Sequence, residues 1–353
     1  IQPEKSFVRR VLFLGPLYYA HTTLSLASDI TLHEIGHGQT YALFGGYPKY
    51  SPSSSTSLPA ELSASELFVK LLINPHKGAA THFHGNLTPL TYSERCLKSA
   101  AGLNRQIESS TILAENLVFS NYFNIFKSIS YLIKKGTPYS YFKMVEDELA
   151  AGNEVSLSLD PYSYVNSLNL HLYKQDYPTV NNPELITKFR KYYQYSLLSS
   201  RGTLLSLISV LNYVKFGLLE FKSGSSNKLG AIPESNVYLN QDHVSWRTQI
   251  IKKANSQFIY ILEYEHRLFG IDGPDEFSVG FHSRNQRFEH RWDVTIGGTF
   301  NYYFRLKSQI RLSPKLGLFV HTRYGNLGTS IQQRELHRDK LLVSGGVRYW
   351  LSR

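Results

Sequence analysis

Two histidines four residues apart, His33 and His37, frame the run His33-Glu34-Ile35-Gly36-His37. On a helix, positions i and i+4 sit one above the other on the same face. Two imidazoles so placed can bind one metal ion, and for Zn²⁺ each nitrogen stands about 2.0–2.1 Å from it. Glu34 then lies beside the ion, where it can take a proton from a water whose pKa the metal has lowered. The same ion stabilises the oxyanion that forms when that water attacks a peptide carbonyl. The bland alternative is an amphipathic helix with two ordinary histidines, because the motif carries a false-positive risk. Gly36 weighs against it. Glycine costs about 1 kcal/mol against alanine inside a helix, and it lets another backbone or a substrate come close to the metal.

Zinc that keeps one open position needs a third protein ligand. Glu108 and Glu115 are seven residues apart, so they share a helix face with Asn104, and Ile107, Ile112, Leu113 and Leu117 surround them. They rank first. Glu146 and Glu148 form a second candidate pair. For any one of these carboxylates a solvated helix position is the default. His82 and His84 form an H-x-H pair beside Gly85 and Asn86 and read as surface residues of a loop. His21, twelve residues before His33, can line the same helix bundle.

The elements that must position these residues fall into two regions, 1–230 mainly helical and 231–353 made of antiparallel strands. A helix is predicted over Ser25–Leu43, stopped by Gly45-Gly46 with Pro48 beyond. Residues 50–65, rich in Ser and Pro, and 76–89 read as loops, with a short apolar element at 67–73 between them. Long helices are expected over 93–134, broken near Gly102, over 139–151 and over 183–216. Beyond about Ser235 the period switches to two, with apolar residues or glycine alternating along Trp292 to Leu306, Ile310 to Val320 and Leu341 to Leu351. Alternation gives each strand one greasy and one more polar face. Strands of about ten residues separated by polar turns suit a transmembrane β-barrel. A soluble lipocalin-like barrel, with its greasy faces inward, shows the same periodicity. Pro314 demotes its strand to an edge or a bulge.

The composition sets bounds. Of 353 residues, 42% are hydrophobic and 18% charged, which excludes a disordered chain. One cysteine, Cys96, excludes an internal disulfide and any cysteine-based metal cluster. A net charge of +11 suits an anionic neighbour such as nucleic acid, anionic lipid or acidic glycan. The pairs Lys134-Lys135 and Arg9-Arg10 read as solvated or headgroup-resting basic spots. No P-loop, dinucleotide fingerprint, nucleophile elbow or nucleic-acid motif is present, so nucleic acid is not an expected partner. Val11 to Ser28 lacks charge but carries His21, Thr22, Thr23, Ser25 and Ser28, and reads as a buried or interfacial helix. The chain opens on Ile1; removal of a signal peptide would place it outside the cytoplasm, and a trimmed boundary would look the same.

The stretch HEIGHGQTYALFGG, His33 to Gly46, resembles HExxH zinc metallopeptidases, in which HExGH followed by a short apolar run and glycine is common. Site-2-protease-like membrane peptidases show this arrangement with a later Gly–Asn element, and Ala100-Ala101-Gly102-Leu103-Asn104 is faintly similar to it. The resemblance implies His33 and His37 as zinc ligands and Glu34 as catalytic base. It departs at the third ligand, because Asp272-Gly273 falls in the strand region.

The expected molecule is an α+β protein, an N-terminal helical metallopeptidase-like region followed by an antiparallel β-barrel in the outer membrane of a Gram-negative-type envelope. Its cofactor would be Zn²⁺. Its partners would be membrane lipid and an envelope protein or peptide as substrate. The alternatives are a non-enzymatic barrel, porin or scaffold, with a structural or vestigial metal site, and a soluble metal-dependent hydrolase with a β-rich accessory domain.

Overall fold

A computed structural model describes residues 3–52, 62–73, 79–84, 89–119, 122–173, 181–222, 229–253, 259–268, 276–284, 288–297, 302–311, 316–325 and 340–349. Helix α1 (Pro3–Leu43) is 41 residues long, so the helix expected from Ser25 starts much earlier and takes in the uncharged stretch before it. Its end is where the glycines put it. Gly45 adopts φ 83°, a left-handed conformation open to glycine, and Gly46 N–H returns to Tyr41 O at 3.0 Å. Strand β1 (Tyr47–Ser51) follows, then α2 (Ala64–Ile73), opened by reciprocal bonds between Ser63 and Glu66. Strand β2 (Ala80–His84) pairs antiparallel with β1, which corrects the loop expected over 76–89. His76, Gly85 and Asn86 lie outside the described residues.

Helix α3 (Tyr92–Phe119) begins with a second such box, Thr91 with Glu94. The helix expected to run from 93 to 134 does break, between Phe119 and Ile125 and not at Gly102. There β3 (Tyr122–Asn124) pairs with a later strand, and Asn124 Oδ1 caps α4 (Ile125–Ala150) by accepting from Phe126 N and Lys127 N. Helix α4 also absorbs the separate helix expected over 139–151. Helix α5 (Asp160–Tyr173) lies where the sequence suggested no element. The helical stretch at 183–216 divides at Ser199-Ser200 into α6 (Asn182–Leu198) and α7 (Arg201–Phe216), inclined by 53°. No described helix is by itself long and apolar enough to cross a membrane, though the bent α6–α7 pair reaches that composition jointly. Strand β4 (Glu220–Lys222) closes the helical region by pairing with β3.

From β5 (Glu234–Leu239) the chain is an eight-stranded antiparallel meander: β6 (Val244–Lys253), β7 (Ile259–Leu268), β8 (Glu276–Arg284), β9 (Phe288–Gly297), β10 (Tyr302–Arg311), β11 (Leu316–Gly325) and β12 (Lys340–Tyr349). The run expected as one strand from Trp292 to Leu306 is two, β9 and β10, paired Trp292↔Leu306. Pro314, Trp350 and Asp272-Gly273 lie outside the described residues. The fold is thus mixed α+β with every sheet antiparallel, and no register among the described residues joins β12 to β5.

The two faces of the meander differ in kind. Ile250, Leu262, Tyr264, Val279, Leu316, Leu318 and Val320 are exposed, Val320 by 50%. The pairs Ile250↔Leu262 and Tyr264↔Val279 put them on one face, and the register continues through Val279↔Val294 and Val294↔Phe304. The alternate positions of β6 and β7 are mixed: Ile251 and Ile261 are buried opposite each other, Gln249 Nε2 donates to Glu263 Oε1 at 2.5 Å, and Arg247 and Arg267 flank Glu265 at 3.3 and 3.4 Å.

Strand β5 is the seam between the regions. Val237 and Leu239 join Leu103, Ile107, Phe142 and Leu168 of α3, α4 and α5 in the main core. Lys134 and Lys135 are buried, which corrects their reading as surface spots. Lys134 faces Asp29 at 3.7 Å. Lys135 Nζ meets Glu234 Oε1 at 3.5 Å and donates to Ser235 O, while Tyr131 Oη donates to the same Glu234 oxygen at 2.8 Å. Burial pulls the Lys135 ammonium down to about 8 against the upward pull of Glu234.

Candidate metal centre

Helices α1 and α3 cross at two glycines. A Cβ on Gly36 would stand 2.5 Å from Ala101 O, and one on Gly102 would stand 2.5 Å from His33 Nε2 and Cε1. The cost of Gly36 in a helix is therefore met by the close approach of another backbone. The approach lets α3 grip both imidazoles from behind. His37 Nδ1–H donates to Lys98 O at 2.8 Å, and His33 Nδ1–H donates to Gln106 Oε1 at 3.2 Å. In the neutral imidazole these bonds favour the tautomer with Nδ1 protonated, which leaves the lone pair on Nε2. The two Nε2 atoms converge to 3.1 Å.

The third member is Asp160, the first residue of α5. Its Oδ2 lies 2.7 Å from His33 Nε2 and 3.0 Å from His37 Nε2, and its backbone N–H donates to Tyr141 Oη at 3.3 Å. Among the described residues, His33, His37 and Asp160 form the one group of metal-ligating side chains close enough to share an ion. Three lone-pair atoms facing one another repel unless a positive charge sits among them. The three atoms stand 2.7–3.1 Å apart and would spread by about 0.2–0.6 Å to hold an ion at 2.0–2.1 Å each. The donor set of two neutral imidazoles and a carboxylate fits Zn²⁺. The same demand for positive charge shows in protonation. Burial pushes the His33 imidazole down, but the hydrogen bond and charge of Asp160 outweigh it and lift it to about 9. Burial alone would raise the Asp160 carboxyl; His37 and His33 together hold it well below the usual carboxylate range. The Asp160 side chain keeps 17% exposure, so the centre has an open side.

Glu34 is buried, and its Oε2 accepts from Thr81 Oγ1 at 2.5 Å, so strand β2 aims the carboxylate. Tyr141 stands with its ring centroid 6.2 Å from that of His33. Burial, reinforced by Asp160, drives its hydroxyl far above the ordinary tyrosine value, keeping it protonated.

The carboxylates favoured by spacing go elsewhere. Glu108 is 54% exposed and pairs with Arg105 at 2.5 Å. Glu115 contributes its charge to the surroundings of Arg201. Glu146 pairs with Arg190 at 2.6 Å, and Glu148 accepts from Asn153. Asn104 docks the meander, bonding both N–H and C=O of Leu239. His21 bonds Phe126 O and Ser130, and His82 bonds Ser51. Asp160 was not among the candidates. Its signal was the Asp160-Pro161 junction, an acidic residue and a proline opening a helix.

The chain matches no protein-family model, no curated protein and no solved structure. Its function must be argued from this geometry.

Proposed function

We propose that the chain is a membrane-associated zinc metallopeptidase that hydrolyses peptide bonds of envelope proteins or peptides. The observation that carries the reading is the convergence of His33 Nε2, His37 Nε2 and Asp160 Oδ2 beside Glu34. His33, His37 and Asp160 would hold a divalent ion, which when bound would lower the pKa of an attacking water and supply positive charge to the oxyanion. Glu34 accepts the proton of that water and returns it to the leaving amine, as a positioned general base and acid does. Thr81 fixes the Glu34 carboxylate by donating to its Oε2. Gln106 and Lys98 keep both imidazoles in the liganding tautomer.

Support for the membrane comes from the meander. A lipocalin-like barrel buries its greasy face, whereas here Leu262, Val279 and Leu318 are exposed, and Glu263, Glu265 and Arg267 share the partly or fully buried alternate face with Ile261. Exposed apolar residues along one face of β6, β7, β8 and β11, with buried charged groups on the other face of β7, in a meander of eight strands most of which are ten residues long, suit a small outer-membrane barrel. The proposed location is the outer membrane of a Gram-negative-type envelope, with lipid as a neighbour.

The test is metal content and peptide hydrolysis of detergent-purified protein, beside His33→Ala and Glu34→Gln. One zinc per chain, lost in His33→Ala and retained without turnover in Glu34→Gln, supports the peptidase. No zinc after reconstitution overturns it and leaves a non-enzymatic barrel. Extraction without detergent, with no heat-modifiable migration on a gel, overturns the membrane part.

A further inference from the structure

Behind the metal centre, Gln106 leads on to a buried polar pair, Asp29 and Lys134, that the proposed chemistry does not use. Asp29, one helical turn before His33 on α1, has no exposed surface. Its Oδ2 accepts from Gln106 Nε2 at 2.8 Å and from Thr137 Oγ1 at 2.7 Å, and its Oδ1 faces Lys134 Nζ at 3.7 Å. Gln106, also buried, passes the contact on, its Oε1 accepting from His33 Nδ1–H. We propose that Asp29 is a positioning residue for the metal centre: through Gln106 it sets the tautomer of His33, and Lys134 sets the direction of that relay. The proposal rests on the metal reading above.

Donor and acceptor parity fixes the direction of every bond in this hydrogen-bonded chain. A carboxylate only accepts, so Gln106 must turn its NH₂ toward Asp29. An amide has one oxygen and one nitrogen, so its oxygen must then face His33. An acceptor at that position requires Nδ1–H, and a neutral imidazole with Nδ1–H carries its lone pair on Nε2, the atom that points at His37 and Asp160. Lys134 closes the logic, because a cation at the other Asp29 oxygen admits only an acceptor there. In Asp29→Asn the new amide turns its oxygen to Lys134 and its NH₂ to Gln106. Gln106 then answers that NH₂ with its oxygen and turns its own NH₂ to His33, which must offer a bare Nδ1 and a protonated Nε2. The polarity of the whole chain inverts, with no change in shape. Thr137 tolerates the change, since its hydroxyl can donate to Ile133 O at 2.8 Å and accept from the new NH₂.

Parity also predicts the rescue. Asp29→Asn combined with Gln106→Glu places a carboxylate between two donors, the introduced amide NH₂ and His33 Nδ1–H, and restores the liganding tautomer. The experiment measures Zn²⁺ affinity by chelator competition and the visible ligand-field spectrum of the Co²⁺-loaded protein, with a thermal midpoint for each variant. The expected result is a loss of about 10–100-fold in affinity for Asp29→Asn, the range for partners that orient metal-bound histidines, and recovery to within about 3-fold of wild type in the double variant. A purely structural role for Asp29 would lower the midpoint and would not be repaired by Gln106→Glu. Unchanged affinity in Asp29→Asn overturns the proposal, as does a loss the double variant fails to recover at an unchanged midpoint. Wild-type protein that binds neither Zn²⁺ nor Co²⁺ overturns the metal reading itself, a separate outcome.

Discussion

Gly102→Ala adds one methyl group where α3 crosses α1, and the geometry sets the size of its effect. The new Cβ would stand 2.5 Å from His33 Nε2 and Cε1 and 2.7 Å from Cδ2. Carbon contacts settle at about 3.5–4.0 Å, so the ring must retreat by about 1 Å. That displacement is about five times the ±0.2 Å tolerance of a metal–ligand bond, so His33 leaves the set and two ligands remain. Affinity for Zn²⁺ should fall by more than the roughly 10–100-fold seen when only a supporting partner is lost. The fold should be spared, because alanine gains about 1 kcal/mol over glycine in a helix interior against an overpacking cost of about 1–3 kcal/mol. Zinc affinity by chelator competition, read beside the denaturant midpoint, checks both halves. A folded Gly102→Ala protein that binds zinc as tightly as wild type would refute the reasoning.

Asp160→Asn should abolish stoichiometric zinc binding, whereas Glu108→Gln and Glu115→Gln should leave it intact; metal analysis of the three variants distinguishes them. Thr81→Val removes the donor that aims Glu34 and should lower kcat of peptide hydrolysis by about 10-fold, a share of what general-base catalysis contributes, with zinc content unchanged. Lys135→Met removes the cation 3.5 Å from the buried Glu234 carboxylate, leaving Arg201 as its positive neighbour, and should cost up to about 3–5 kcal/mol in denaturant unfolding, most of it recovered by adding Glu234→Gln. Because burial holds Lys135 at about 8, below an unfolded value of about 10.4, the unfolded chain binds more protons between those values. This residue's contribution to stability therefore rises with pH across that window, and Lys135→Met should remove the rise. Leu262→Arg on the exposed face should cost about 2–4 kcal/mol if that face meets the middle of a bilayer, and little if it meets water, as refolding into vesicles and into detergent-free buffer would show.

Local rules made much of this protein legible. The i, i+4 spacing of His33 and His37, the glycine stop at Gly45-Gly46 and the two-residue period after Ser235 each rest on neighbours in the chain, and each is found. Where local signals were weak the reading slipped. Gly102 looked like a helix break, but a glycine makes room as readily as it makes a bend, and here the room is taken by the His33 ring. Lys134 and Lys135 looked solvated because their partners, Asp29 and Glu234, are about a hundred residues away. Alternation along the strands could not say which face met solvent. That came from which alternate positions are covered.

The third member of the cluster, Asp160, shows the division most plainly. Helical spacing favoured Glu108 and Glu115, which share a face with each other but not with the histidines. Asp160 stands 127 positions from His33 and meets it because α5 packs on α3 and α3 on α1. Sequence by itself brought His33 and His37 together, since one helical turn does so, with Glu34 next in the chain. Only the tertiary structure decided the carboxylate that completes the centre and the Asp29–Gln106 chain behind it, because hydrogen bonds between distant helices depend on how those helices cross, and no periodicity encodes a crossing.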